Sequence, residues 1–329
     1  MANISGTGTV WNLPSYAGQI YSSTPAQTPF LNLIAAKAVK TDNFQFPTGV
    51  EYSHEAAAQP AISEEQSLTA PTAVSYVRSQ ETNVTQIFQE KVSVSYSRLA
   101  NSGRFSGAAD SFSAAQAPGE LEFQTARALE KIARDIEYSF INGTYQLSTA
   151  SNVANKTRGI LAACGTSVDA QNAPLTRAML NGALATAYAA GADFTDTVLL
   201  CGAAVKQALT DAYSSQWGFC APPTREMGGM NIMQVETDFG VLSVVLSRFV
   251  PAGTLIGADI SCCRPVEQDV PGKGSFFREA LSRTGAAEEY QIFGQLGLDH
   301  GPMWKHFCIT GIGAGESRTP VPVVEVTAG

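Results

Sequence analysis

The chain has 329 residues, 44% of them hydrophobic and only 15% charged, where an average soluble domain has about a quarter charged. Its net charge of −8 comes from 21 basic and 29 acidic residues with no basic cluster, which argues against tight sequence-specific DNA binding. No basic-then-apolar leader opens the sequence and no apolar run reaches the ~18 residues of a membrane span, so the expectation is a protein made in the cytosol, with no membrane partner and its six cysteines reduced.

Residues 1–35 scatter apolar anchors (Trp11, Leu13, Tyr16, Ile20) without a sustained period, then gather them in Thr28-Pro29-Phe30-Leu31-Asn32-Leu33-Ile34. Anchors without a local core predict an extended arm that lies on something else. Residues 43–54 read as a strand in which Phe44 and Phe46, then Val50 and Tyr52, alternate around Pro47 and Gly49, and the proline places it at an edge or bend. Residues 84–97 return as a strand, with Val92, Val94 and Tyr96 on one face and serines on the other. Between them lies a polar, alanine-rich stretch with Glu55, Glu64 and Glu65. Together with Glu51, these acids help give residues 42–90 seven acidic residues against Arg78 alone, and so most of the net charge. The reading is an extended hairpin over 43–97. A two-stranded hairpin is marginal in water, so its apolar face predicts a partner outside the segment, with another subunit as the candidate.

Residues 120–142 carry the strongest helical signal, with Leu121, Thr125, Ala128, Leu129, Ile132, Ala133, Ile136 and Phe140 on one stripe. Glu130 and Arg134 are spaced as an i,i+4 pair, and Gly143 stands at the C′ position. Helices are predicted over 175–190 and 203–214, with a buried strand at 197–201 between them. Strands 232–237 and 241–247 flank Asp238-Phe239-Gly240, a hairpin turn. A short strand follows at 254–256, and residues 276–309 hold two or three more. The tail 314–329 is rich in Gly, Pro and Thr.

Catalytic patterns are missing. His300 and His306 flank Gly301-Pro302 at a spacing that matches no zinc site, and Cys262-Cys263 reads as two buried small hydrophobes. Gly272-Lys273-Gly274-Ser275 lacks the preceding glycine of a phosphate loop and reads as a polar turn. Neither a nucleophile elbow nor a dinucleotide fingerprint is present. The expectation is no catalytic residue, no cofactor and no metal.

Four stretches, in order, resemble the SU-ten-like branch of tailed-phage major head proteins, which have the Hong Kong 97-like fold. They are Thr28–Ile34; Asn83–Phe88 with Val92–Ser95; Ala128–Glu137 leading to Asn142-Gly143-Thr144 and Thr157–Ile160; and Thr237–Val241 with Ser247–Pro251. The resemblance implies an α+β capsid fold with an N-terminal arm (1–42), an extended β-hairpin loop (43–97) and a peripheral domain (98–160) holding the long spine helix 120–142. An axial α/β domain (161–265), return strands of the peripheral domain (266–313) and a flexible tail (314–329) complete it. It further implies a homo-oligomer of hexamers and pentamers that closes an icosahedral virion capsid around double-stranded DNA. Partners would be a separate scaffolding protein, a portal and, in some heads, a decoration protein. The expected assembly contacts are Phe44, Phe46, Val92, Val94 and Tyr96 for burial, and Glu51, Glu55, Glu64 and Glu65 against Arg127, Lys131 and Arg134 of a neighbour. Two other readings stay open: an encapsulin-like nanocompartment of the same fold, and a soluble enzyme whose catalytic residues converge from distant positions.

Overall fold

The computed structural model describes residues 27–52, 57–73, 75–100, 120–217, 224–227, 230–282 and 285–313. The arm before residue 27, Glu55 and the tail 314–329 lie outside them. In chain order the first elements are α1 (Pro29–Ile34), β1 (Val39–Thr41), β2 (Gln45–Tyr52), α2 (Glu64–Ser67), β3 (Arg78–Val84), β4 (Gln86–Ser95) and α3 (Tyr96–Ala100). The long helix α4 (Glu120–Asn142) follows, then β5 (Thr166–Asp169), α5 (Arg177–Ala189), β6 (Thr197–Cys201) and α6 (Ala203–Trp217). Eight strands follow among the described residues: β7 (Thr224–Met227), β8 (Met230–Thr237), β9 (Gly240–Leu246), β10 (Leu255–Asp259), β11 (Arg264–Gln268), β12 (Phe276–Ala280), β13 (Ala287–Asp299) and β14 (Phe307–Thr310).

The first sheet is built on β13. β4 pairs antiparallel along one edge, from Gln86↔Leu296 to Ser95↔Ala287. β11 and β12 share the other edge, and β1 lies parallel outside β11. The stripe of α4 packs on this sheet because its apolar residues recur at helical spacing. Leu129, Ile132, Ala133, Ile136 and Phe140 meet Phe88, Val92, Val94, Ile292, Leu296 and Leu298 in one core, which α1 closes with Phe30, Leu31 and Ile34. Each of the larger side chains, taken fully out of water, contributes about 1.5–3 kcal/mol. Gly294 in the central strand makes room for its cross-strand partner: a Cβ there would stand 2.2 Å from the Phe276 ring.

The second sheet runs β5-β14-β10-β6-β9-β8-β7 with mixed directions. α5 and α6 bring Leu180, Leu184, Val205 and Leu209 to a separate core with Leu199, Leu242, Leu255, Phe307 and Ile309. The turn Asp238–Gly240 joins β8 to β9 as its sequence predicts. Arg177 and Asn181 of α5 both reach the Asp238 carboxylate, at 3.5 and 2.9 Å.

Four expectations are corrected. Strand 43–54 pairs along 78–84 and meets 84–97 only at its first residues: β2 pairs with β3, from Gln45↔Val84 to Tyr52↔Arg78, with a bulge at Pro47/Gly49. The run 78–95 breaks at Asn83–Thr85, and its second half joins the first sheet, so Val92 and Val94 lie in the subunit's own core and have no surface to offer a neighbour. The charged ends of Glu130 and Arg134 do not meet. Glu130 takes Arg127 at 2.8 Å, while Arg134 Nε donates to the Glu130 carbonyl at 3.4 Å. Gly143 ends α4, but not through a left-handed φ. Close approach requires glycine there, because a Cβ would stand 2.3 Å from the carbonyl oxygens of both Ser139 and Thr157.

Candidate functional site

The hairpin β2–β3 leaves the first sheet from a tightly bonded root. Asn83 is fully buried, and its Nδ2 donates to the carbonyls of Leu298 (2.7 Å) and Arg158 (3.1 Å). Its Oδ1 accepts from the N–H groups of Arg158 (2.7 Å) and Val84 (2.9 Å). Phe46 packs its ring over Gly297, where a Cβ would be 2.6 Å away, and is buried inside the subunit. Gly49, at the bulge, lies against Gly301 and Pro302. Glu81 on β3 forms an ion pair with Arg158.

Beyond the root the described residues of the hairpin form no core. Residues 57–73 are all exposed. Local order comes from a capping box: Ser63 Oγ accepts from Gln66 N–H at 3.2 Å while Gln66 Oε1 accepts from Ser63 N–H at 3.0 Å. This fixes the one-turn helix α2, whose Glu64 and Glu65 occupy the first turn, where carboxylates favour the helix dipole. Among the described residues neither carboxylate forms an ion pair. Ile62 (68% exposed), Leu68 (84%), Tyr76 (68%) and Val77 (69%) stand in water on this projection. None of the four is among the expected contacts, although apolar residues inside an otherwise polar stretch are a signal for them.

The remaining expected contacts divide. Phe44 and Tyr96 are exposed, at the hairpin root and at the start of α3. Glu51 lies on β2 opposite Ser79, and Glu55 is outside the described residues. Arg127, Lys131 and Arg134 line the exposed face of α4, each with a partner in its own subunit. Arg127 also stacks on Phe123 with 5.6 Å to the ring centroid, and Lys131 reaches Glu90 at 2.8 Å and Asp135 at 3.5 Å. Beside them Ile87 and Tyr138 rim a shallow groove between β4 and α4.

Glu137 and His300 are buried titratable groups with shifted acidities. Glu137 accepts the N–H groups of Phe30 (3.0 Å) and Leu31 (2.7 Å), with Ser247 Oγ at 3.5 Å. Burial pushes its carboxyl up to about 7 against these hydrogen bonds. Its place one turn after Ala133 in the apolar stripe was the available signal. His300 is wholly buried, with Nδ1 donating to the Gly301 carbonyl at 2.7 Å, and burial lowers it to about 4. His306 accepts the Asp259 N–H at 3.2 Å through Nδ1 and donates to the His300 carbonyl at 2.5 Å through Nε2. Among the described residues no set of three or more His, Cys, Asp or Glu side chains is placed to hold a metal, and no helix is long and apolar enough to cross a membrane.

Comparison with known proteins agrees with this geometry. The family model described as SU10 major capsid protein matches residues 3–313. No curated protein matches. Among solved structures, the holo-SrpI encapsulin complex from Synechococcus elongatus PCC 7942 superposes with a TM-score of 0.61 at 13% identity, covering 97% of this chain and 95% of that one. The capsid of cyanophage A-1(L) gives 0.57 at 13% identity over 87% and 93%. Gordonia phage Cozz gives 0.53 at 15% identity over 86% of each chain. At such identities the likeness establishes a shared fold.

Proposed function

The chain belongs to the SU10 major capsid protein family and has the Hong Kong 97-like α+β fold, and from that premise we propose that its copies close as hexamers and pentamers into an icosahedral head around double-stranded DNA. It is a major capsid protein, and self-assembly into a shell is its work. In the proposal it acts without catalysis and holds DNA by confinement, as its negative charge and lack of a basic cluster favour. A separate scaffolding protein, a portal and, in some heads, a decoration protein assist it in the host cytoplasm. Its parts act as an arm, an extended loop (β2–β3 and its tip), a spine (α4), a peripheral domain around the first sheet and an axial domain around the second.

One observation carries the assembly reading: the hairpin tip exposes Ile62, Leu68, Tyr76 and Val77 on a segment whose described residues form no core of their own. The tip of one copy lies across the next, its Glu64 and Glu65 facing the basic edge of α4. Exposed pairs contribute ~0–1 kcal/mol each, so burial of the apolar tip supplies most of the contact.

The test is negative-stain microscopy of the purified protein, with a nuclease-protection assay on particles from infected cells. Closed shells holding nuclease-resistant DNA are expected. Shells that instead retain a protein cargo would favour the nanocompartment reading. A discrete monomer or dimer would overturn assembly altogether.

A further inference from the structure

We propose that Glu137 is a proton-linked anchor for α1: seating α1 on the long helix takes up a proton at Glu137, so α1 is held more tightly at mildly acidic than at neutral pH. This concerns the interior of one subunit and stands apart from the proposal of DNA enclosure.

Helix α1 is short, and its first turn needs acceptors for its free N–H groups. Pro29 has none to satisfy, and Asn32 donates to the Thr28 carbonyl at 3.1 Å. The Thr28 side chain does not cap the helix. Phe30 and Leu31 are left, and both donate to Glu137, one to each carboxyl oxygen. The cap of α1 thus comes from a residue more than a hundred positions away, on a different helix. Around it Phe30, Leu31 and Ile34 are fully buried, so α1 leaves its seat only by local unfolding.

The anchor is a carboxyl group with 0% exposure and, among the described residues, no cation in contact. α1 itself carries no titratable side chain, and Lys37 just beyond it donates to the Ile260 carbonyl. On α4, Arg134 turns to the Glu130 carbonyl, and Asp135 faces Lys131 on the exposed side. From the 247–249 turn, Ser247 reaches Glu137 while Arg248 is exposed. Two amides and one hydroxyl do not offset the loss of water, which is why the carboxyl is raised to about 7 from its ordinary 4.5. The neutral acid also fits. A proton on Oε1 can be given to Ser247 Oγ, a hydroxyl that accepts as well as donates, while Oε2 keeps the Leu31 amide.

The sign follows from linkage. Docked Glu137 holds its proton to higher pH than undocked Glu137. Docking is therefore strongest below about 4.5, weakens as pH rises towards 7, and is level above that.

Hydrogen exchange reads this directly. In the full chain, protection factors of the Phe30 and Leu31 amides are measured from pH 5 to 7.5, corrected for intrinsic exchange. They should fall by roughly ten- to a few-hundredfold across that range in the wild type and stay level in Glu137→Gln, which is neutral throughout. A level wild-type profile, or the same fall in the Gln variant, overturns the proposal. If the variant does not fold, a carboxyl titration of the wild type labelled with carbon-13 glutamate decides. One glutamate protonating near neutrality supports the anchor, and its absence removes it.

Discussion

Asn83 Nδ2 donates to the Leu298 carbonyl at 2.7 Å, joining the hairpin root to the end of the central strand across 215 positions of sequence. The same carboxamide engages both backbone groups of Arg158, so one side chain ties three segments. Asn83→Ala would take one hydrogen bond from each of two N–H donors and two carbonyls in a buried to half-buried site. The expected loss is about 2–4 kcal/mol, read as a lower denaturant midpoint of the unassembled subunit. Exchange should also quicken in residues 78–84. An unchanged midpoint would show that the root is held by other contacts.

Gly159 crosses the end of α4, and its N–H donates to the Gly143 carbonyl at 2.8 Å. A Cβ at Gly159 would stand 2.6 Å from Gly143 N and 2.8 Å from Ile141 O, both backbone atoms with little room to move. Gly159→Ala is therefore expected to cost about 2–4 kcal/mol in thermal or denaturant unfolding. Gly182, exposed on α5, is the control, because a Cβ there would meet nothing within 4 Å. Gly182→Ala should be neutral or stabilise by up to ~1 kcal/mol.

How far the sequence reaches shows in these same places. The stripe of α4 and the alternation of Val92 and Val94 are local patterns, and the elements they predict are the ones that form. Pairing is not local. Nothing within residues 84–97 says that their partner is β13, some two hundred positions later, in preference to the nearby 43–54. The hydrogen bonds of Asn83 and Glu137 are not local either, because their closest partners outside their own segments are backbone groups of distant segments, which carry no residue-type signal. For the candidate site, the sequence located the hairpin and its acidic tip but assigned burial to Val92 and Val94, whose surface the subunit itself consumes.

Replacing Ile62, Leu68, Tyr76 and Val77 together by serine tests the tip. All four are exposed in the subunit, so the unfolding midpoint should move by no more than about 0.5 kcal/mol per site. Shell formation, followed by sedimentation and microscopy, should be lost. Normal shells from this variant would remove the tip from the assembly contact.

Charge reversal separates steering from burial. Glu64→Lys with Glu65→Lys should lower shell yield at low salt, with little effect on the subunit, because these carboxylates are exposed and unpaired among the described residues. The deficit should shrink at about 0.5 M salt, where screening shortens the reach of surface charge. Adding Arg127→Glu and Arg134→Glu should restore yield if the two edges face one another across copies. Failure of the swap, with both parents impaired, would place the tip against another surface.

Glu137 and His300, both buried, predict opposite pH responses that conceal each other. His300 is lowered to about 4, so the folded subunit binds its proton less readily than the unfolded chain does. Its contribution is intact above pH 6.5 and is lost as pH falls towards 4, by up to about 3 kcal/mol. Glu137 is raised to about 7, so its contribution is complete below pH 4.5 and is lost as pH rises towards 7, by a similar amount. Over pH 4.5–6.5 the two slopes oppose. Relative to wild type, His300→Asn, whose amide can still donate to the Gly301 carbonyl, should tilt the stability profile upward on acidification. Glu137→Gln should tilt it downward, and the double variant should return to nearly the wild-type slope, because the two sites share no partner. Urea midpoints at pH 4.5, 5.5 and 6.5 measure all three, and two single variants tilting the same way would show that one of the buried groups titrates elsewhere.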